Sequence, residues 1–242
     1  GPDSGSADDK SFASAIAVTD ARLLFLPVQS LKGVFALVTC PLVLRRLAGD
    51  LQRVDGEAAT AFDKIACGVR IEGETAWVTS TDLIVGDAVI LRETVFKKAG
   101  MIAGWPGPLA DCFAEGDYRR ELMQKRVAVV SDDEFTYLAR HATEIVPHIR
   151  IDRETGTAQG GALWYEENVP AEAVFWNTIL FSDARDPAAR TAGNDQPLAA
   201  ETLAGLLFSE LPALFPLGGK ETIGHGLIRP VPYSAGHIPA GE

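Results

Sequence analysis

The 242-residue chain is 47% hydrophobic and carries 33 acidic against 22 basic side chains, a formal net charge of −11; that is enough apolar content for one large core or two small ones, and the wrong sign for a protein that coats itself indiscriminately with nucleic acid, so any RNA contact needs a local face. Its three cysteines, Cys40, Cys67 and Cys112, lack paired spacing, which argues against a disulfide framework or a zinc site and for a cytoplasmic home. No apolar run approaches the ~18 residues that span a bilayer and no basic-then-apolar leader opens the chain, so no membrane partner is expected.

Residues 1–12, small, polar and acidic at their start, read as a flexible lead-in to a domain over 13–231. Arg22 to Val28 is an apolar strand, Gln29 to Gly33 a turn and Val34 to Val38 a second strand. A helix then follows with Thr39 as N-cap, Pro41 in its first turn, and Leu44, Leu47, Leu51 and Val54 on one face. Residues 57–124 form an insertion without a recognised motif, β-rich at Val69 to Glu72, Thr75 to Thr79 and Val89 to Phe96, with a loop at Trp105 to Pro108. Val127 to Val130 is a strand, and Ser131 with Glu134 is a capping box that opens a helix through Phe135, Leu138 and Ala142.

His148 to Asp152 and Ala162 to Glu167 are the arms of a hairpin whose polar, glycine-rich tip holds Arg153 to Gly156 and Gly160-Gly161. Val174 to Phe181 is a strand, Asp183 to Asp195 a polar loop, Leu198 to Leu214 a helix closed by Pro216, Gly226 to Val231 a last strand, and 232–242 a tail. Strands and helices alternate without regular βαβ spacing, so the fold class is α+β rather than a doubly wound sheet.

The most informative stretch is Leu217 to Gly226, which gathers Gly218, Gly219, Lys220, Gly224, His225 and Gly226. Glycines leave backbone N–H groups free to converge on an anion, and Lys220 adds a point charge. Glu221 after Lys220 excludes a nucleotide P-loop, and the helix-to-strand order excludes a dinucleotide fingerprint. The segment reads as a polyphosphate-binding loop, against the alternative of a plain glycine turn. Four histidines without a nucleophile elbow or a Cys-His pair offer no hydrolase triad. Asp132-Asp133-Glu134 suits a helix macrodipole better than a magnesium ion. The pairs Arg45-Arg46, Lys97-Lys98, Arg119-Arg120 and Lys125-Arg126 read mostly as solvated faces.

Residues Ala21 to Ala36 with Val38-Thr39-Cys40-Pro41 closely resemble the backbone RAMP subunit of type III-B CRISPR effectors, the fourth subunit of the Cmr complex, in the Cas-seven group. The pattern recurs at His141 to Glu144, Ile151 to Gly156, Gly161 to Glu167 and the terminal glycine loop. The resemblance implies a ferredoxin-like (RRM-related) core that polymerises along a CRISPR guide RNA, with copies of itself and other Cmr subunits as partners. It also implies a thumb hairpin, here residues 151–167, that interrupts pairing with the target RNA, and cleavage of that RNA with a divalent metal, Mg or Mn, for which no ligand set is evident in this chain.

By motif position, Ser30, Lys32 and Gly33, with Gly218, Gly219, Lys220, Gly224, His225 and Gly226, lie against RNA, joined by Arg150 and Arg153 of the hairpin. Leu163 and Trp164 would be apolar wedges against a base step, Trp164 foremost. Lys32 is the foremost residue of the set, because a lysine in a tight turn between apolar strands has no core partner to serve. Gln29 stands where the family often has arginine. The family's first strand, first helix and catalytic aspartate are expected upstream of Gly1, supplied by another chain, by another part of a longer polypeptide, or left out. A separate reading from the glycine loop alone is an enzyme that binds a small phosphorylated metabolite.

Overall fold

The structure, a computed structural model, describes residues 12–105, 107–186, 189–190 and 196–233. Arg22–Trp176 form one compact unit and the residues before and after it form a second. The expected lead-in to residue 11, much of the 183–195 loop and the tail beyond 233 lie outside the described residues.

The chain's first strand, β1 (Ile16–Val18), belongs to the smaller unit. The larger unit begins with β2 (Arg22–Gln29), β3 (Phe35–Thr39), β4 (Thr75–Val78), β5 (Ile84–Val85), β6 (Ala88–Leu91), β7 (Thr94–Met101) and β8 (Val127–Val129). β9 (Glu144–Ile151) and β10 (Ala158–Asn168) pair only with each other, and β11 (Val174–Trp176) returns beside β2. The eight-stranded sheet runs β11-β2-β3-β8-β4-β7-β6-β5, with β3–β8 and β4–β7 parallel and the other pairs antiparallel. Leu24 to Val28 and Val127 to Val129 are buried at consecutive positions. Consecutive burial means that both faces of these strands are covered, which is why their sequences read as unbroken apolar runs.

Helix α1 (Pro41–Leu51) buries Val43, Leu44, Leu47 and Ala48. Its N-cap is Cys40, which makes no side-chain cap bond, while Thr39 ends β3; Asp132 Oδ1 instead accepts from the Leu42 amide at 2.9 Å. Val54 lies beyond the helix. The next element was not expected: α2 (Gly56–Gly68), capped by Asp55, which accepts from the Glu57 and Ala58 amides. Its Ala58, Ala59, Phe62 and Ala66 are buried, and the helix packs on α1.

Residues 57–124 are therefore mixed rather than β-rich, with α3 (Gly107–Asp111) and α4 (Tyr118–Lys125) following the strands. Val69 to Glu72 is not a strand, and Val89 to Phe96 spans two, folded back at Arg92. Trp105 lies between elements as expected, although Gly107 and Pro108 open α3 instead of ending a loop; its ring packs edge-on to Phe25 and Phe62 and its Nε1 donates to the Met123 carbonyl at 2.9 Å. The capping box opens α5 (Asp132–His141), where Ser131 accepts from the Glu134 amide.

The expected strand Val174 to Phe181 breaks after β11; its remainder, β12 (Ile179–Phe181), pairs with β1 in the smaller unit. There α6 (Ala200–Glu210) is shorter than its leucine pattern suggested, with Asp183 accepting from the Ala200 amide and Phe208 edge-on to Phe181. Pro216 does not follow a helix end directly but pairs in β13 (Phe215–Pro216) against β14 (Leu227–Ile228). The last strand is thus two residues long. Among the described residues, no helix is long and apolar enough to cross a membrane.

Candidate nucleic-acid interface

The turn between β2 and β3 is laid against the β6–β7 hairpin: the Leu31 amide donates to the Ile90 carbonyl at 3.1 Å and the Arg92 amide to that of Gln29 at 2.8 Å. Gly33 has φ 84° and Val34 φ 71°, and the Phe35 amide donates to the Gly33 carbonyl at 2.9 Å. That bond makes Val34 the centre of the rare, positive-φ kind of γ-turn, which strains a β-branched residue by about 1–2 kcal/mol. Val34 and Leu31 are 76% and 70% exposed, so packing does not hold Val34 there. Val34→Gly, after its entropic cost in the unfolded chain, is expected to raise stability by roughly 0.5–1 kcal/mol, measured as a higher urea midpoint.

At Lys32 and Ser30 the turn differs from what its sequence suggests. Lys32 does have a partner within the fold: its Nζ donates to the carbonyls of Thr81 at 2.9 Å and Ile84 at 3.1 Å, bracing the turn on a short 3-10 segment, Thr81–Leu83. Ser30 is 6% exposed and its Oγ is enclosed without a hydrogen-bond partner among the described residues, so that hydroxyl is not presented to a ligand. Gly33 does face a cation. A Cβ there would lie 3.1 Å from Arg126 Nη1 and 3.2 Å from the Asp82 carbonyl oxygen.

The β9–β10 hairpin turns at 152–157 through Asp152, which accepts from the Glu154 and Thr155 amides and the Thr155 hydroxyl. Gly160 and Gly161 lie in β10 rather than at the tip, where the register shifts between Ala158 and Leu163. Arg150 and Arg153 are exposed near this end. Leu163 is opposite Ile149 and Trp164 opposite His148, and successive strand residues point to opposite faces. Leu163 and Trp164 therefore cannot form one wedge. Trp164 stacks on His148, with ring centres 5.4 Å apart, and donates to Glu166 at 3.0 Å; His148 Nε2 is 3.3 Å from the other Glu166 oxygen but not aligned for a hydrogen bond. The opposite face is apolar and open, with Ile145, Ile149, Leu163 and Tyr165 each more than half exposed.

In the smaller unit, β13 and β14 hold the glycine segment as a hairpin loop closed by the Leu217 amide on the Gly226 carbonyl at 2.8 Å. A 3-10 turn, Glu221–Ile223, sits within it, and the Ile223 and His225 amides both donate to the Lys220 carbonyl at 3.2 Å. Gly218, Gly224 and Gly226 have positive φ, and Gly218 to Gly226 are all exposed. The amides of Gly218 and Gly219 have no acceptor among the described residues. Two neighbouring open N–H groups beside a lysine can hold one phosphate oxygen.

Arg45, Arg46, Lys97 and Lys125 are exposed, as a solvated face requires, whereas Arg119 and Arg120 are drawn into the fold. Arg119 binds Asp117 and lies over the Phe113 ring, and Arg120 donates to the Ala110 and Phe113 carbonyls and to Asp111. Lys125 pairs with Glu121 at 2.9 Å. Among the described residues no three His, Cys, Asp or Glu are placed to hold a metal ion.

Burial pushes the Cys40 thiol up to about 12 and that of Cys112 up to about 11, whereas Cys67 is exposed. One fast-reacting thiol is expected with a disulfide reagent at pH 8, and three after denaturation. The raised thiols also set a pH dependence. Unfolding frees them to ionise near their ordinary value, so their contribution to stability is complete below about pH 8.5 and falls as pH rises toward 11–12.

The chain matches the RAMP superfamily over residues 3–229. It is 34% identical over 221 residues to the CRISPR system Cmr endoribonuclease Cmr4 of Pyrococcus furiosus, covering 90% of this chain and 68% of that protein. With the CRISPR system CMR subunit Cmr4 of Saccharolobus solfataricus it shares 26% identity over 245 residues, 93% of this chain and 73% of the relative. The crystal structure of P. furiosus Cmr4 (Cas7) superposes with a TM-score of 0.59 at 26% identity, over 89% of this chain and 73% of that one. A chain of the type III-B Cmr-beta complex bound to cognate target RNA superposes at 0.67 with 20% identity, over 93% and 72%, a likeness of fold alone. The mixed α+β fold agrees with that of these structures. The chain belongs to the RAMP superfamily and, within it, to the Cmr4 family.

Proposed function

We propose that the chain is an RNA-binding backbone subunit of a type III-B CRISPR effector complex: it grips guide-RNA phosphates, assembles with copies of itself and other Cmr subunits, and spaces the target RNA. The observation that carries this is the 34% identity with a Cmr endoribonuclease across 90% of the chain. The open amides of Gly218 and Gly219 beside Lys220 suit a phosphate chain, and the exposed β9–β10 hairpin suits a thumb. The sheet around β2, β3 and β8 with α1 is read as the ferredoxin-like core. On this hairpin the wedge is Leu163 with Ile149, since Trp164 is engaged by His148 and Glu166. Cutting of RNA belongs to the P. furiosus relative's name, and no metal step is assigned to the described residues. None of the relatives above favours the small-metabolite enzyme.

Fluorescence anisotropy of the purified chain with a labelled single-stranded RNA of uniform length tests the reading. Tight binding that weakens with salt is expected, and Lys220→Ala should flatten the log K against log[salt] slope by about 0.7, one phosphate's worth on a single strand. No RNA binding at low salt, together with a melting temperature raised by nucleotides or sugar phosphates, would favour the metabolite enzyme instead.

A further inference from the structure

We infer that Arg126 is the cation that meets a guide phosphate at the β2–β3 turn, and that Lys32 is a positioning residue that holds the turn in shape. The inference rests on the RNA-binding reading above and assigns the contact to a residue outside the family motif, one that the charge pattern placed on a solvated face. An ammonium has three donors, and Lys32 directs two of them at the Thr81 and Ile84 carbonyls. Turning to a phosphate would strip both carbonyls of a charged donor.

Arg126 is placed differently. Its amide donates to the Leu122 carbonyl at 2.9 Å and its carbonyl accepts from the Leu37 amide at 2.7 Å, so its backbone is fixed between α4 and the sheet. From there the guanidinium reaches the turn beside Gly33, where a Cβ would stand 3.1 Å from Nη1 and 3.5 Å from Cζ. Gly33 therefore serves two ends: φ 84° suits glycine, and its bare Cα admits a planar group. Arg126 is of intermediate exposure, and its guanidinium has no hydrogen-bond or ion-pair partner among the described residues. The acid that feels the Arg126 charge is Glu121, and its carboxylate is held by Lys125 at 2.9 Å. A fork of donors without a carboxylate partner is satisfied by an oxyanion, and guanidinium geometry matches a phosphate bidentately.

The test uses the full chain and a fluorescein-labelled single-stranded RNA, with affinity measured across a salt series and melting temperature measured in parallel. Arg126→Gln is expected to weaken binding about 10-fold, to lower the salt slope by about 0.7, and to leave the melting temperature unchanged. Arg126→Lys should restore the slope and only part of the affinity. Lys32→Met should lower the melting temperature yet keep the wild-type slope when measured on folded protein. Wild-type affinity and slope in Arg126→Gln, with a lower slope in Lys32→Met, would overturn the inference while leaving the RNA reading intact. Absence of RNA binding by the wild type would remove both. Should Arg126→Gln fail to fold, phenylglyoxal labelling of wild-type Arg126 decides by mass spectrometry: RNA should protect it, and equal labelling with and without RNA overturns the assignment.

Discussion

Phe62→Ala is expected to destabilise the larger unit by about 3–5 kcal/mol, the usual cost of removing a fully buried aromatic ring. Phe62 is 2% exposed and meets Trp105 edge-on, with ring centres 5.8 Å apart at 80°; Trp105 meets Phe25 in the same way at 6.0 Å and 75°. The indole thus joins α2 to β2, and its Nε1 bond to the Met123 carbonyl ties in the end of α4. Because three elements converge on one ring, the cavity left at Phe62 has little freedom to collapse. Urea unfolding reads the effect as a lower midpoint with an unchanged m-value. Trp105→Phe, which keeps an aromatic but orphans the Met123 carbonyl, should cost about 1–3 kcal/mol. A double-mutant cycle between Phe62→Ala and Trp105→Ala should show coupling of about 0.5–1.5 kcal/mol, beyond area burial. Strict additivity would mean that the rings stabilise their elements separately.

The same cluster shows where the sequence was legible. Strands β2 and β8 announce themselves as short apolar runs because both their faces are covered, and α5 does so through Ser131 and Glu134. Helix α2 was hidden for the opposite reason. Its buried face is mostly alanine, at 58, 59 and 66, with Phe62 as the one large residue, so hydrophobic amplitude is weak although the 3.6-residue period is present. Asp55 ahead of that run was the available signal, an N-cap with Glu57 in the first turn. Trp105 was placed correctly in a glycine- and proline-rich loop, but loop composition says nothing about which way a single aromatic turns.

Candidate-site residues divide along a similar line. The turns at Gly33, Gly218, Gly224 and Gly226 are marked by the glycines themselves, and each of these residues has positive φ. The fates of Lys32 and Arg126 depend on carbonyls and backbone supplied from about 50 and 90 residues away in the chain, which no local pattern encodes. Leu163 and Trp164 could have been separated from sequence alone, since strand periodicity puts neighbours on opposite faces.

Gly226→Ala should be the most damaging single change in the glycine loop. A Cβ at Gly226 would stand 2.1 Å from the Leu217 carbonyl oxygen and 3.1 Å from its carbon, contacts with backbone that cannot swing aside. Its φ of 72° adds a left-handed penalty of about 1–2 kcal/mol for alanine. The loop is closed by the Leu217 amide on the Gly226 carbonyl, and only two residue pairs, Phe215–Ile228 and Pro216–Leu227, make up the hairpin behind it. So short a ladder lacks the reserve to absorb the displacement, and the variant should open the hairpin rather than bend it. Hydrogen exchange at the Leu217 amide should speed up by at least about 10-fold, the equivalent of 1.4 kcal/mol of local opening. Gly219→Ala is the matched control: its φ is ordinary and nothing lies within 4 Å of its Cβ position, so the fold should not change. If phosphate approaches the Gly218 and Gly219 amides, however, the added methyl crowds it. Gly219→Ala should then bind RNA more weakly at unaltered exchange rates, whereas Gly226→Ala loses binding and protection together.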